Sequence, residues 1–241
     1  MKILLTGIIS GIGKYLVMQL RKDPGNYIIG VDLVTRGDVP GEVSGCIDEY
    51  LQCDLSETDN AEGLILKVIG NHPDLDMVIH NAGIKAFGKV TSMESREIIA
   101  TMNVNTITPM IFARQLFNAY ESLLFIVIGS NSGFQAYPKT AIYGASKSAV
   151  NALTEGIRQE LKPGQRLHTI CPSIIATEEF KKDHPGKTNM FRQPEDVMKA
   201  IRRIVDGKEK RVIVPVVRNR WKVKYTLTGI GKLARWFIRW D

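Results

Sequence analysis

Short apolar runs alternate along this chain with longer segments of helical period. The runs KILLT (2–6), YIIGVD (27–32), EYLQCDL (49–55), DMVIHNAG (76–83), LLFIVIGS (123–130), RLHTICP (166–172) and RVIVP (211–215) predict seven strands. Between them, apolar residues spaced for one helix face predict a helix from the first Gly-rich turn to about 22. Further helices are predicted over 57–70, 95–120, 141–161 and 194–206, the last opening on Pro194, a residue that suits a first turn. The strands are apolar almost without interruption, as expected when both faces of a sheet are covered. The pattern predicts an α/β fold, a doubly wound parallel sheet with helices on both faces. Such sheets bind ligands beyond the carboxyl ends of their strands, so the segments that follow each strand belong to one site.

Composition narrows the class. The 241 residues are 44% apolar and 24% charged, with no repeat, low-complexity tract or linker, which fits a globular chain with a sizeable core. Three cysteines, Cys46, Cys53 and Cys171, are odd in number and without ligand spacing, and read as free thiols in a reducing compartment. Four histidines show no paired spacing, so no metal site is expected. The start, MKILLTGIISGIGKYLV, imitates a signal peptide, but glycines interrupt it and no clean cleavage site follows; a cytoplasmic protein is expected. No apolar run reaches the length of a membrane span.

The strand ends carry the chemistry. After the first strand comes TGIISGIG, with Gly7, Gly11 and Gly13 between a strand and a helix, where they allow a tight turn and close backbone approach to a pyrophosphate. Asp32 ends the next strand about 20 residues on, where a carboxylate accepts hydrogen bonds from a ribose 2′-OH and repels a 2′-phosphate. That favours NAD over NADP, and Ser10, where a basic residue would serve a phosphate, agrees. Lys14 and Arg36 are nearby cations that favour the opposite choice. Asp54-Leu55 follows the third strand, Asn81-Ala82-Gly83 the fourth, and Ser130-Asn131-Ser132-Gly133 the fifth. In YGASK, Tyr143 and Lys147 stand four residues apart, which puts them on one helix face with only small residues between.

In this order and spacing, these residues over about 2–215 resemble the short-chain dehydrogenase/reductase family, of the single-domain Rossmann type. The resemblance implies an NAD(H)-dependent oxidoreductase that moves a hydride between nicotinamide and a secondary alcohol or ketone. It implies a catalytic set of Asn105, Ser130, Tyr143 and Lys147. Asn103 competes with Asn105 in the sequence NVN; Ser132 competes with Ser130, although the 13-residue spacing to Tyr143 favours Ser130. Tyr143 is the expected general acid/base. Lys147 beside it is expected to lower its pKa and to hold the nicotinamide ribose, and Ser130 to steady the reacting oxygen. The implied cofactor contacts are Gly7, Ser10, Gly11, Ile12, Gly13, Asp32, Asp54, Leu55, Asn81, Ala82, Gly83, Pro172 and Thr177, together with Tyr143 and Lys147. Within these, Asp54 resembles the acid that meets adenine and Thr177 the residue at the nicotinamide amide. A homodimer or homotetramer is implied in the same way, through the two long helices.

The chain departs from the family in two places. Ser173 follows Pro172 where glycine is usual, which bears on the width of the nicotinamide pocket. The end, 216–241, forms a basic tail beyond the 1–215 domain. Residues 211–241 hold eight Lys/Arg against one acid, and so account for the whole net charge of +7, together with all three tryptophans. Its apolar and basic residues separate on a helical wheel, the composition of an interfacial membrane anchor or of a helix packed on a partner. No nucleic-acid motif accompanies it. Phe180, Met190 and Phe191 in the loop before Pro194 point to a lipophilic or acyl-type small-molecule substrate. The competing class is a catalytically silent dinucleotide-sensing scaffold acting through the tail.

Overall fold

The computed structural model describes residues 1–135, 137–178, 180, 192–209, 211 and 213–216. The tail helix, and Met190 and Phe191 of the loop before Pro194, lie outside the described residues. Seven strands form one parallel sheet: β1 Lys2–Thr6, β2 Tyr27–Asp32, β3 Glu49–Gln52, β4 Met77–His80, β5 Leu123–Ile128, β6 Gln165–Pro172 and β7 Ile213–Val216. Their order is β3-β2-β1-β4-β5-β6-β7, with Leu5 opposite both Gly30 and Ile79. The chain winds outward in both directions from β1 and β4, which leaves a crevice between their carboxyl ends.

The helices are α1 Gly11–Leu20, α2 Gly41–Ser44, α3 Thr58–Asn71, α4 Ser95–Met102, α5 Thr108–Ala119, α6 Ala141–Arg158 and α7 Pro194–Val205. On one face, Leu16 and Leu20 of α1 and Ile201 and Ile204 of α7 pack on Ile3, Leu5 and Ile79. On the other, Ile65 of α3, Phe112 and Leu116 of α5 and Val150 of α6 pack on Leu4, Val78 and Phe125. Adjacent residues of β1 therefore enter opposite cores, which is why the strands read as unbroken apolar runs.

The predicted helix over 95–120 is two helices. A π-helical turn, Asn103–Ile107, separates α4 from α5, with Thr108 N–H donating to the Asn103 carbonyl. Pro109 supplies the physical reason, since it has no N–H to donate to Asn105 four residues back or to Val104 five back. The short α2 was not predicted. β3, β4 and β5 end short of the predicted runs, where the chain turns into the polar segments of the cleft.

Candidate active site

The carboxyl ends of the strands border a cleft of about 1180 Å³. Its first end is built from main chain. Gly7 (φ +70) and Gly11 (φ +54) adopt left-handed conformations that a side chain resists. A Cβ on Gly7 would lie 2.8 Å from the Ala82 Cα, and one on Gly13 only 1.8 Å from the Gly7 carbonyl oxygen. Gly13 is buried and lets α1 dock behind the loop, whereas Gly11 lines the cleft and its Cβ position has nothing nearer than Thr177 Cγ2 at 3.7 Å. No side chain caps the start of α1. This bare helix N-terminus beside a glycine-lined cradle fits the pyrophosphate of a dinucleotide.

Thr6 holds this turn against the neighbouring strand. Its Oγ1 accepts from Asn81 N (3.1 Å) and Ala82 N (3.0 Å), and Asn81 Nδ2 donates to the Gly7 carbonyl (2.8 Å). His80 Nε2 donates to the Val104 carbonyl (3.0 Å), one of the acceptors Pro109 cannot serve, so Nδ1 is the ring acceptor facing Thr6 Oγ1 at 3.3 Å. Burial, with the Lys147 charge second, lowers the His80 pKa to about 3. The ring is a neutral connector between the π turn and the cofactor loop. Asp32 is likewise fixed: Oδ2 accepts from Ile9 N (3.1 Å) and Oδ1 from Leu33 N (2.8 Å). Lys14 sits between Glu42 (2.7 Å) and Glu178 (3.1 Å). The Arg36 guanidinium lies 5.9 Å from the Tyr50 ring centroid. Asp54 Oδ1 accepts from Ser56 N (2.9 Å) and Ser56 Oγ (2.7 Å) in a local turn before α3.

The second end is built from side chains. Lys147 is buried, carries no carboxylate partner among the described residues, and donates to the Ile128 carbonyl at 2.9 Å. Loss of solvent lowers its pKa to about 8. Its Nζ lies 5.8 Å from the Tyr143 ring centroid. Ser130 Oγ accepts from Ser132 N at 3.1 Å and hydrogen-bonds the Tyr143 phenol. Burial raises the phenol above its ordinary value, with the Ser130 hydrogen bond opposing and Cys171 adding to the rise. The net shift is thus upward, opposite in sign to the lowering expected from Lys147, because loss of solvent dominates. Asn105 Oδ1 accepts from Ile84 N (2.9 Å), while Nδ2 donates to the Ile84 carbonyl (2.8 Å) and to Ser146 Oγ (2.9 Å). The clamp fixes the chain one residue beyond Gly83, whose Cβ position is 3.5 Å from Lys147 Nζ.

The family profile described as short chain dehydrogenase matches residues 1–188. The chain belongs to the short-chain dehydrogenase family. Among curated relatives, Dehydrogenase/reductase SDR family member 11 of Homo sapiens is 32% identical over 228 residues, spanning 82% of this chain and 85% of that protein. An NAD-dependent glycerol dehydrogenase of Listeria innocua is 26% identical over 203 residues, spanning 82% and 77%. A solved 4-hydroxyisoleucine dehydrogenase complexed with NADH has a TM-score of 0.77 at 22% identity, covering 89% of this chain and 96% of its own. A solved short chain dehydrogenase from Burkholderia cenocepacia in complex with NADP also has a TM-score of 0.77, at 19% identity, covering 88% and 94%. The family assignment makes this chain an oxidoreductase with a nucleotide-binding fold.

Within this short-chain dehydrogenase, the cleft gathers nearly every residue read from the sequence. Gly7, Ser10, Gly11, Ile12, Asp32, Asp54 and Leu55 line one end; Asn81, Ala82, Gly83, Ser130, Tyr143, Lys147, Pro172 and Thr177 line the rest. Gly13 and Asn105 stand behind the wall. Asn103 Nδ2 turns away to the Ser56 carbonyl (2.7 Å), so of the two asparagines only Asn105 meets the Lys147 region. Ser132 lines the cleft beside Ser130. Sequence reasoning missed Thr6 and His80, which hold the cofactor loop, and Lys85, Tyr137 and Ile174, which line the reaction end. Thr6 and His80 were legible in principle, as polar residues closing two apolar strands that are adjacent at the crevice. Among the described residues no group of acids, histidines and cysteines is placed to hold a metal, and no helix is long and apolar enough to cross a membrane.

Proposed function

We propose that this chain is an NAD(H)-dependent dehydrogenase that interconverts a secondary alcohol and a ketone, with Tyr143 as general acid/base. One observation carries the reading. The Tyr143 phenol, the Ser130 hydroxyl and the Lys147 ammonium, which has no ion pair among the described residues, converge on the cleft whose other end holds the glycine cradle and Asp32. NAD, when bound, accepts or returns the hydride. The protein's own task is to place the substrate and move a proton. Ser130 hydrogen-bonds the reacting oxygen, Tyr143 exchanges its proton with that oxygen, and Lys147 favours the phenolate when the phenol releases it. Asn105 acts through position, holding Ile84 and so the wall at Gly83 against Lys147. The raised phenol pKa keeps the proton on Tyr143 and suits donation to a ketone oxygen.

The preference for NAD rests on the state of the charges. The Asp32 carboxylate is held by two N–H donors at the end of the second strand, and of the two cations that favour NADP, Lys14 is occupied by two carboxylates and Arg36 lies against the Tyr50 ring. Solved relatives contain NADH and NADP alike, so these residues of this chain make the choice. The remaining parts of the reading are a cytoplasmic dimer or tetramer, and a basic tail that contacts a membrane surface or a second subunit. The silent-scaffold reading is not favoured, because the curated relatives are dehydrogenases.

The test is Tyr143→Phe. Turnover of ketones with NADH falls by about 10²–10⁴-fold while NADH binding persists. Turnover that survives the substitution refutes the assignment of the acid/base.

A further inference from the structure

The two ends of the cleft carry opposite charge. The carboxylates that line it, Asp32 and Asp54, are at the cradle end; the lysines that line it, Lys85 and Lys147, are at the reaction end. The segments that build the reaction end, 81–93, 129–148 and 172–177, contain Lys85, Lys89, Lys139 and Lys147 and no acid. The acids that follow them are occupied: Glu94 pairs with Arg96 (2.6 Å) and Glu178 with Lys14 (3.1 Å).

Of the two lysines that line the cleft, Lys147 is buried and Lys85 is exposed. It lies on the cleft wall next to Ile84, whose backbone Asn105 clamps on both sides, and it makes no ion pair among the described residues. The 85–89 segment is tied across to the start of α6, where Gly88 N donates to the Lys139 carbonyl (2.8 Å) and the Lys139 ammonium lies 5.9 Å from the Phe87 ring centroid. Lys139 takes a left-handed conformation (φ +64) to make this tie, a cost for a residue with a side chain. The lysine is thus carried on a braced wall. The same cleft shows apolar surface to solvent: Ile174 is 53% and Tyr137 40% exposed, and Ile84 and Phe180 line it as well.

A cation without an ion pair among the described residues, on a braced wall and at the end of the cleft that Asp32 and Asp54 do not line, with exposed apolar side chains in the same cleft, complements an anion joined to an apolar body. We infer that the substrate is a hydroxy acid, or the matching oxo acid, whose carboxylate is received by Lys85. This rests on the dehydrogenase reading of the site and adds the substrate class. The carboxylate is a spectator. The oxo carbon takes a hydride from NADH and its oxygen the proton of Tyr143, so an oxo acid leaves as a hydroxy acid; in the reverse direction the Tyr143 phenolate takes the hydroxyl proton as the hydride returns to NAD.

The experiment compares 3-hydroxybutyrate, 4-hydroxypentanoate and 3-hydroxyoctanoate with the methyl ester of each, in NAD-dependent turnover by the full chain and by Lys85→Gln. The ester keeps the alcohol and removes the charge. The acids are expected to exceed their esters in kcat/KM by about tenfold or more, and Lys85→Gln to raise KM for the acids by about tenfold. The esters' KM, and kcat throughout, should stay within about twofold. Esters turned over as well as acids, with Lys85→Gln indifferent, overturn the inference and leave the dehydrogenase standing. A binding readout runs beside turnover, in the Tyr143→Phe background so that NADH is not consumed: acetoacetate should change the fluorescence of that protein–NADH complex saturably, and methyl acetoacetate should not. Equal responses, or a response that Lys85→Gln does not weaken, overturn the inference. NADH that fails to bind before any acid is added removes the underlying reading, and the inference falls with it.

Discussion

The two ends of the cleft recognise by different means. At the cradle end the working groups are main-chain amides and one carboxylate, each fixed by neighbours: Thr6 holds Asn81 and Ala82, Asn81 holds Gly7, and two N–H groups hold Asp32. At the end proposed for reaction stand the partly buried Tyr143 phenol and the buried Lys147 ammonium, without a countercharge among the described residues, so that loss of solvent dominates their pKa shifts. One end gains specificity from preorganised geometry. The other gains reactivity from desolvation, which costs stability. Substitutions at the two ends should therefore separate binding from chemistry.

The largest separation is expected from Lys147→Met. Turnover should fall by about 10³-fold. The fold should become more stable, because moving the pKa from 10.5 to about 8 corresponds to a cost on the order of 3 kcal/mol for the buried charge, against about 1 kcal/mol for the lost hydrogen bond to Ile128. Each kcal/mol shifts Tm by roughly 2–4 °C in a chain of this size. The sign with pH follows from linkage. Below about pH 8 both states hold the proton and the cost is complete; between about 8 and 10.5 the unfolded chain holds a proton that the folded one has released. Wild-type stability thus gains on that of the variant as pH rises through this window. A variant that is inactive and also less stable at pH 7 would show that Lys147 is chiefly structural.

Asp32→Ala acts at the other end. It should leave kcat with NADH nearly unchanged and shift the ratio of NADH to NADPH affinity toward NADPH by about 10- to 100-fold. An unchanged ratio would place the discrimination elsewhere. The glycines divide the cradle further. Gly13→Ala puts a Cβ 1.8 Å from the Gly7 oxygen and should destabilise the protein by about 1–3 kcal/mol or more, measured by thermal unfolding without ligand. Gly11→Ala meets no atom nearer than 3.7 Å, so its stability loss should be limited to the φ +54 conformation, about 1–2 kcal/mol, with the main effect a weaker dinucleotide affinity. The smallest effect is expected from Ser173→Gly. Ser173 lines the cleft and donates from its amide to the Val216 carbonyl (3.0 Å), a bond that glycine keeps, so KM should move by less than about threefold.

The parts of this architecture that depend on local pattern were legible in the sequence. The strand runs, the Gly-rich turn and YGASK each declare themselves within a few residues, and the alternation of elements dictates that their ends meet. The state of the charged and titrating groups was not legible in the same way. The fate of Lys14 depends on Glu42 and Glu178, far away in the chain, and the pKa of Tyr143 depends on burial that spacing cannot report. The helix predicted over 95–120 failed for a reason present in the sequence: Pro109 withholds one N–H, and the chain answers with the π turn that delivers the Val104 carbonyl to His80 and Asn105 to Ile84. That turn also parts the two asparagines, sending the Asn103 side chain to the Ser56 carbonyl and Asn105 to Ile84.

The central claim is that a fixed carboxylate at one end and a desolvated phenol at the other make an NAD-dependent dehydrogenase. Fluorescence titration of the wild-type protein with NADH and with NADPH tests it most directly. The account predicts saturable binding of both, with NADH the tighter by about tenfold or more. Tighter NADPH would contradict the role given to Asp32 and return Lys14 or Arg36 to the cofactor, and binding of neither would contradict the account as a whole.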